Sequence, residues 1–159
     1  MKFYIFQQNN SGGCFVVNKD LCGMLLIEAT TYDEARDKAL SLGVYFNGVE
    51  EEIDCDCCGD RWDDFDREIE TPIEVAAFIY TDLIPNYKLE WHNKYGKYLR
   101  KEEPKIFKNK FGDKYGTGCI FNTVEEYAQY LADEYHWTTP DVRIFYNSGE
   151  VKEIFAKGK

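Results

Sequence analysis

No apolar run in the 159 residues approaches 18, so no membrane-spanning helix is expected. No charged-then-apolar leader opens the chain, so no secretory signal is expected either. The sequence has no Gly-x-Ser-x-Gly, no His-Glu-x-x-His and no Gly-rich Lys-Ser/Thr phosphate loop. Its two histidines, His92 and His136, each sit beside a tryptophan, where packing or surface placement accounts for them. Acids abound, but no spacing singles out a working pair. A binding protein that is not an enzyme and calls for no cofactor is therefore the expectation. Positive charge is also short. A net charge of −10 and a pI near 4.7 argue against long nucleic acid, whose binding rests on phosphate neutralisation. A small nucleotide needs only a few local cations and is not excluded.

Negative charge is concentrated instead. Residues 50–70 hold eleven acids (Glu50, Glu51, Glu52, Asp54, Asp56, Asp60, Asp63, Asp64, Asp66, Glu68, Glu70) against Arg61 and Arg67. Such a run repels itself, so it must be solvated, meet a cation or face a basic partner. Residues 88–114 carry a net +5 and could cover it, within one molecule or across subunits. Six cysteines (Cys14, Cys22, Cys55, Cys57, Cys58, Cys119), in the reducing cytoplasm expected of a chain without a leader, read as thiols or metal ligands before disulfides.

The length suits one compact domain spanning residues 1–159. Phe3–Phe6 reads as a central strand, Asn9-Asn10-Ser11-Gly12-Gly13 as a turn, Phe15–Val17 as its returning partner and Leu25–Ile27 as a third strand. Thr31 with Glu34 forms a capping box for a helix over Tyr32–Leu42, which Gly43 stops. Val44–Phe46 leads to a hairpin signal at Asn47-Gly48. Thr71-Pro72-Ile73-Glu74 resembles a helix start, and a short helix to about Tyr80 is expected. Tyr87, Leu89 and Trp91 alternate like a strand within a stretch, 86–116, of extended segments and loops. Asn122 and Thr123 cap a helix with Val124, Tyr127, Ala128, Leu131 and Tyr135 on one face. Val142–Tyr146 and Val151–Phe155 form a hairpin through Asn147-Ser148-Gly149. The fold class is α+β, a mainly antiparallel sheet with two or three packed helices.

Three groups of residues are candidates for chemistry. Cys55, Cys57 and Cys58 suit a soft metal, but zinc wants four ligands, and further ones would have to come from Cys14, Cys22, Cys119, His92 or His136. No metal is assigned, and the trio stands as the alternative, in a zinc-stabilised adaptor domain. The same block fails as a calcium loop, because Phe65 stands where the bidentate acid belongs. Arg61 with Trp62, and Arg143 with Phe145 on one strand face, each pair a guanidinium with a ring. Each offers a phosphate clamp beside a stacking surface, against the plainer reading of ion pair and packing. Asn122 and Thr123 open a helix whose free amides suit an anion. Arg61, Trp62, Asn122, Thr123, Arg143 and Phe145 are therefore the candidate ligand-binding residues. If both arginines prove engaged internally with no cavity beside either, the clamp reading fails.

The opening Met1–Gly13, the Ile27-Glu28-Ala29 segment and above all Asp54-Cys55-Asp56-Cys57-Cys58-Gly59-Asp60-Arg61-Trp62 resemble small proteins widespread in bacteriophage genomes. Through Asp141–Tyr146 the chain also resembles phage sponge proteins that counter the Thoeris defence by sequestering cyclic ADP-ribose signals. The resemblance implies a homo-oligomer in the host cytoplasm that captures a small cyclic nucleotide without cleaving it. The competing expectation is an acidic nucleic-acid mimic that inhibits a host protein through residues 50–70.

Overall fold

The computed structural model describes residues 1–80, 93–98, 107–108 and 114–157. They form two compact units: Met1–Glu70 with Val124–Lys159, and Thr71–Thr123. The fold is α+β, as the sequence indicates. No helix among the described residues is long and apolar enough to cross a membrane.

In the first unit, β1 (Lys2–Gln7), β2 (Met24–Ala29), β3 (Glu68–Ile69), β7 (Val142–Phe145) and β8 (Val151–Ile154) form one sheet in the order β3-β1-β2-β7-β8. Every pairing is antiparallel except β2 with β7, where Met24 stands opposite Val142 and Ile27 opposite Phe145. Both faces of β2 are apolar and buried, as a strand in the middle of a covered sheet requires. Leu25 and Ile27, with Tyr4 and Phe6, meet Ala35 and Ala39 of helix α1 (Tyr32–Leu42). The other face presents Met24, Leu26, Val142 and Ile144, all buried. Helix α2 (Val124–Glu134) lies against β7 and β8 and buries Val124, Ala128, Leu131 and Ala132.

Local signals set these helices. Thr31 Oγ1 accepts from the Glu34 N–H, and Glu34 Oε2 accepts in return from the Thr30 N–H, so the capping box closes one residue early. Gly43 ends α1 in the left-handed conformation.

Three sequence expectations are corrected. Phe15–Val17 is not a strand. The buried Gln8 side chain donates to the Val16 carbonyl (2.8 Å) and accepts from the Val16 N–H (2.8 Å), making the bonds a neighbouring strand would make. The β1 ladder goes to β2, whose two apolar faces reward pairing more than half-exposed Val16 and Val17 could. Second, Asn47-Gly48 opens a loop rather than a hairpin, and Val44–Phe46, which leads into it, forms no strand. Third, Ile73–Tyr80 is a strand, β4, not a helix. Its branched and aromatic run prevails over the capping signal.

The second unit pairs β4 with β6 (Lys114–Phe121), and β6 with β5 (Phe107–Lys108), in the order β4-β6-β5. A 3-10 turn at Gly96–Tyr98 places Tyr98 on Phe121, ring centroids 4.8 Å apart. The alternation at Tyr87, Leu89 and Trp91 lies outside the described residues.

Leu25 is wholly buried between Phe6 and Arg143 in the strand register. Leu25→Ala should cost about 2–5 kcal/mol, read as a lowered urea midpoint with an unchanged denaturant slope.

Candidate functional site

The acidic segment folds as a loop around one buried carboxylate. Asp54 accepts from the Tyr45 hydroxyl (2.6 Å) and from the Arg61 backbone N–H (2.7 Å). Gly48 makes this approach possible, since a Cβ there would fall 1.8 Å from Asp54 Oδ2. Asp60 accepts from the Val49 N–H, closing the same loop. The remaining nine acids are exposed. Some have partners: Asp64 meets Arg36 and Tyr32, Asp63 meets Arg67, and Glu68 and Glu70 meet Lys2. Glu50, Glu51, Glu52, Asp56 and Asp66 form no ion pair among the described residues.

Arg61 is 7% exposed, and its guanidinium is engaged throughout. Nη2 donates to the Ser11 carbonyl (2.6 Å), and Nη1 to the carbonyls of Cys14 (2.6 Å) and Asn9 (3.3 Å) and to Gln8 Oε1 (3.3 Å). Nε donates to the Tyr45 hydroxyl (3.1 Å) and lies 3.9 Å from Asp54. Trp62 is 1% exposed and belongs to the core. Arg143 is buried too. Its Nη1 donates to the carbonyls of Asn18 (2.6 Å) and Leu21 (2.8 Å), and its Nε lies 3.8 Å from Glu153.

The clamp expected at Arg61, Trp62 and Arg143 is therefore corrected. These groups hold the 8–23 loop rather than a ligand, Arg61 at Asn9–Cys14 and Arg143 at Asn18–Leu21. A cavity of 70 Å³ touches Arg61, far below the roughly 300 Å³ at which ligand pockets begin. Phe145 does share a face with Arg143, but it lines a separate 270 Å³ cleft with Lys38, Leu42 and Val151. Asn122 and Thr123 are exposed ahead of α2 and line none of these cavities.

The loop so anchored presents Phe15, which stacks on Trp137 with centroids 5.6 Å apart and planes 17° from parallel. Tyr135 meets the indole edge-on at 5.5 Å, and Trp137 remains 39% exposed. A cleft of 380 Å³ opens there, lined by Gln7, Gln8, Asn9, Asn10, Phe15 and Trp137. Gln8 and Asn9 have their amides engaged, Asn9 through the Asp60 carbonyl and the Ser11 N–H. The side-chain amides of Gln7 and Asn10 have no partner among the described residues. Gln7, Gln8 and Asn9 also border the smaller cavity, where Arg67 makes a half-exposed pair with Asp63 at 3.4 Å and lies over the Phe65 ring, 5.9 Å from its centroid. Phe15 and Trp137 lie far apart in the sequence, so no local spacing announces this cleft. The available signal was the amide-rich Gln7–Asn10 run ahead of an aromatic.

Arg61→Met would leave Asp54 without its cation and three loop carbonyls without a donor. A loss of about 3–5 kcal/mol is expected, as for a broken buried pair, seen in urea unfolding with no ligand present.

No curated protein and no solved structure matches the chain. A family model described as a domain of unknown function, DUF7296, matches residues 1–125. The match spans all of β1 to β6 together with the loop that carries Arg61, and on that extent the chain belongs to the DUF7296 family.

Proposed function

We propose that this protein captures a small, flat, nucleobase-bearing molecule in the Phe15–Trp137 cleft and holds it without chemical change. The observation that carries this reading is a stacked aromatic pair at a 380 Å³ opening beside two unengaged amides. Rings offer a stacking face to any base, and an amide can both donate to and accept from its edge. The opening falls in the size range of small-ligand pockets. None of its six lining side chains titrates, which favours holding over cleaving. Arg67, which lines the small cavity sharing Gln7, Gln8 and Asn9 with the cleft, is the cation assigned to a phosphate, since an exposed pair with Asp63 contributes only about 0–1 kcal/mol and is readily exchanged. The surrounding acids disfavour ligands with many phosphates. A cyclic ADP-ribose signal, sequestered by a homo-oligomer in a phage counter-defence role, is the member of this class that the sequence resemblance implies.

A second reading keeps the acidic surface as a decoy for a basic host protein. It is favoured by Glu50, Glu51, Glu52 and Asp56, which are exposed and form no ion pair among the described residues. Most of the basic 88–114 stretch lies outside the described residues.

The test is calorimetric titration with a panel of nucleosides, mononucleotides and cyclic nucleotides including cyclic ADP-ribose, followed by heat release and mass spectrometry. Binding of at least one member and recovery of it intact are expected. Trp137→Ala should weaken it by about 1–3 kcal/mol, roughly one to two orders of magnitude in Kd. Arg67→Gln should weaken only ligands that carry phosphate. Binding by no member, or recovery of cleaved product alone, would overturn the proposal. Neutralising Glu50, Glu51, Glu52 and Asp56 together should leave small-ligand binding intact, and would abolish binding to a basic protein if the decoy reading holds.

A further inference from the structure

Three thiols converge on the surface of the acidic loop. The Cys55, Cys57 and Cys58 sulfurs all lie within 4.8 Å of one another, with Cys57 and Cys58 at 3.6 Å. Adjacent residues on a strand would point apart, but this segment is a turn. The Cys58 and Gly59 N–H groups both donate to the Cys55 carbonyl, and Gly59 leaves the turn at φ +80°, a conformation glycine adopts without strain. The turn folds sequence neighbours onto one side.

Its frame is fixed independently of the sulfurs. The Cys55 N–H donates to Ser11 Oγ, and Asn9 Nδ2 donates to the carbonyls of Cys58 and Asp60. Asp54, one residue before the turn, is the buried hub already described. A metal–sulfur bond of about 2.3 Å in a tetrahedral site separates sulfurs by roughly 3.8 Å, so the trio needs only small side-chain adjustments to enclose an ion. Cysteine is ordinarily among the most buried residue types. Here two of the three are exposed, without any core to fill.

The exposed carboxylates of Glu50, Glu51, Glu52 and Asp56, which form no ion pair among the described residues, belong to the same acidic segment and add a field that draws cations in.

We infer that Cys55, Cys57 and Cys58 bind one thiophilic metal ion of the zinc(II) or copper(I) class, with three sulfur ligands and a coordination position left open to solvent. Thiolates select such ions over hard cations. None of the three cysteines lines the Phe15–Trp137 cleft, so this site stands or falls apart from ligand capture there.

The experiment takes the full chain, reduced and stripped of metal, and titrates it without oxygen. Cobalt(II) followed by zinc(II) is one arm, and copper(I) against a colorimetric chelator is the other. One equivalent per chain is expected in at least one arm. The cobalt complex should show a thiolate charge-transfer band that zinc abolishes. Cys55→Ser and Cys58→Ser should each lower affinity more than about tenfold with an unchanged far-ultraviolet spectrum, whereas Cys14→Ser should not. In the wild-type protein the bound metal should shield these three thiols from maleimide, a readout that needs no variant. Absence of saturable metal binding in both arms, undiminished binding in a Cys55→Ser/Cys58→Ser double variant, or absence of shielding would overturn the inference.

Discussion

One buried guanidinium organises the β1–β2 loop and the acidic loop of the first unit. Arg61 joins the Asn9–Cys14 loop, Gln8 at the end of β1, Tyr45 after α1 and Asp54 in the acidic loop, segments far apart in sequence. A planar group with five donors can do this, and a lysine could not. Burying the charge is costly, and the arrangement offsets that cost by supplying carbonyls along the fork with a carboxylate behind it. Those carbonyls belong to irregular backbone that lacks strand or helix partners. Without the guanidinium, they would have to reach water. Arg143 plays the matching role at Asn18 and Leu21, so two arginines define the loop between β1 and β2.

From this follows the placement of the aromatic cleft and the cysteine turn. The loop carries Phe15 to Trp137, forming the aromatic cleft. Its Asn9 and Ser11 also brace the cysteine turn, so cleft and turn share a scaffold without sharing lining residues. The acidic character of 50–70 divides along the same line. Asp54 and Asp60 are structural and satisfied, while the exposed remainder forms a negative skin around the turn.

What the sequence made legible was local. The bounds of α1, its Thr31 and Gly43 caps, and the hairpin of β7 and β8 follow from neighbours within a few residues. The contribution of Gln8, a side chain standing in for a strand, leaves no periodic trace, so Phe15–Val17 looks in sequence like a strand that the fold does not form. At Thr71–Glu74 a short capping signal competed with a longer β-favouring run, and the longer run prevailed. The arginines stand out in the sequence as charge beside rings in apolar surroundings. Whether such a charge faces a guest or its own backbone depends on loop carbonyls that no spacing reveals. Phe15 and Trp137, separated by nearly the whole chain, could be joined only in three dimensions.

The parallel pairing of Met24–Ile27 with Val142–Phe145 bears on how the chain is made. On a ribosome, β1 and β2 emerge early, while β7 arrives only after the entire second unit has been synthesised. Until then one edge of β2, with Leu25 and Ile27 on one side and Met24 and Leu26 on the other, has no neighbour. Closing a pairing so distant in sequence is slow, and an apolar strand edge left open is a template for self-association. A nascent or truncated chain lacking its last strands would therefore be sticky, and would depend on chaperone cover until the C-terminal hairpin docks.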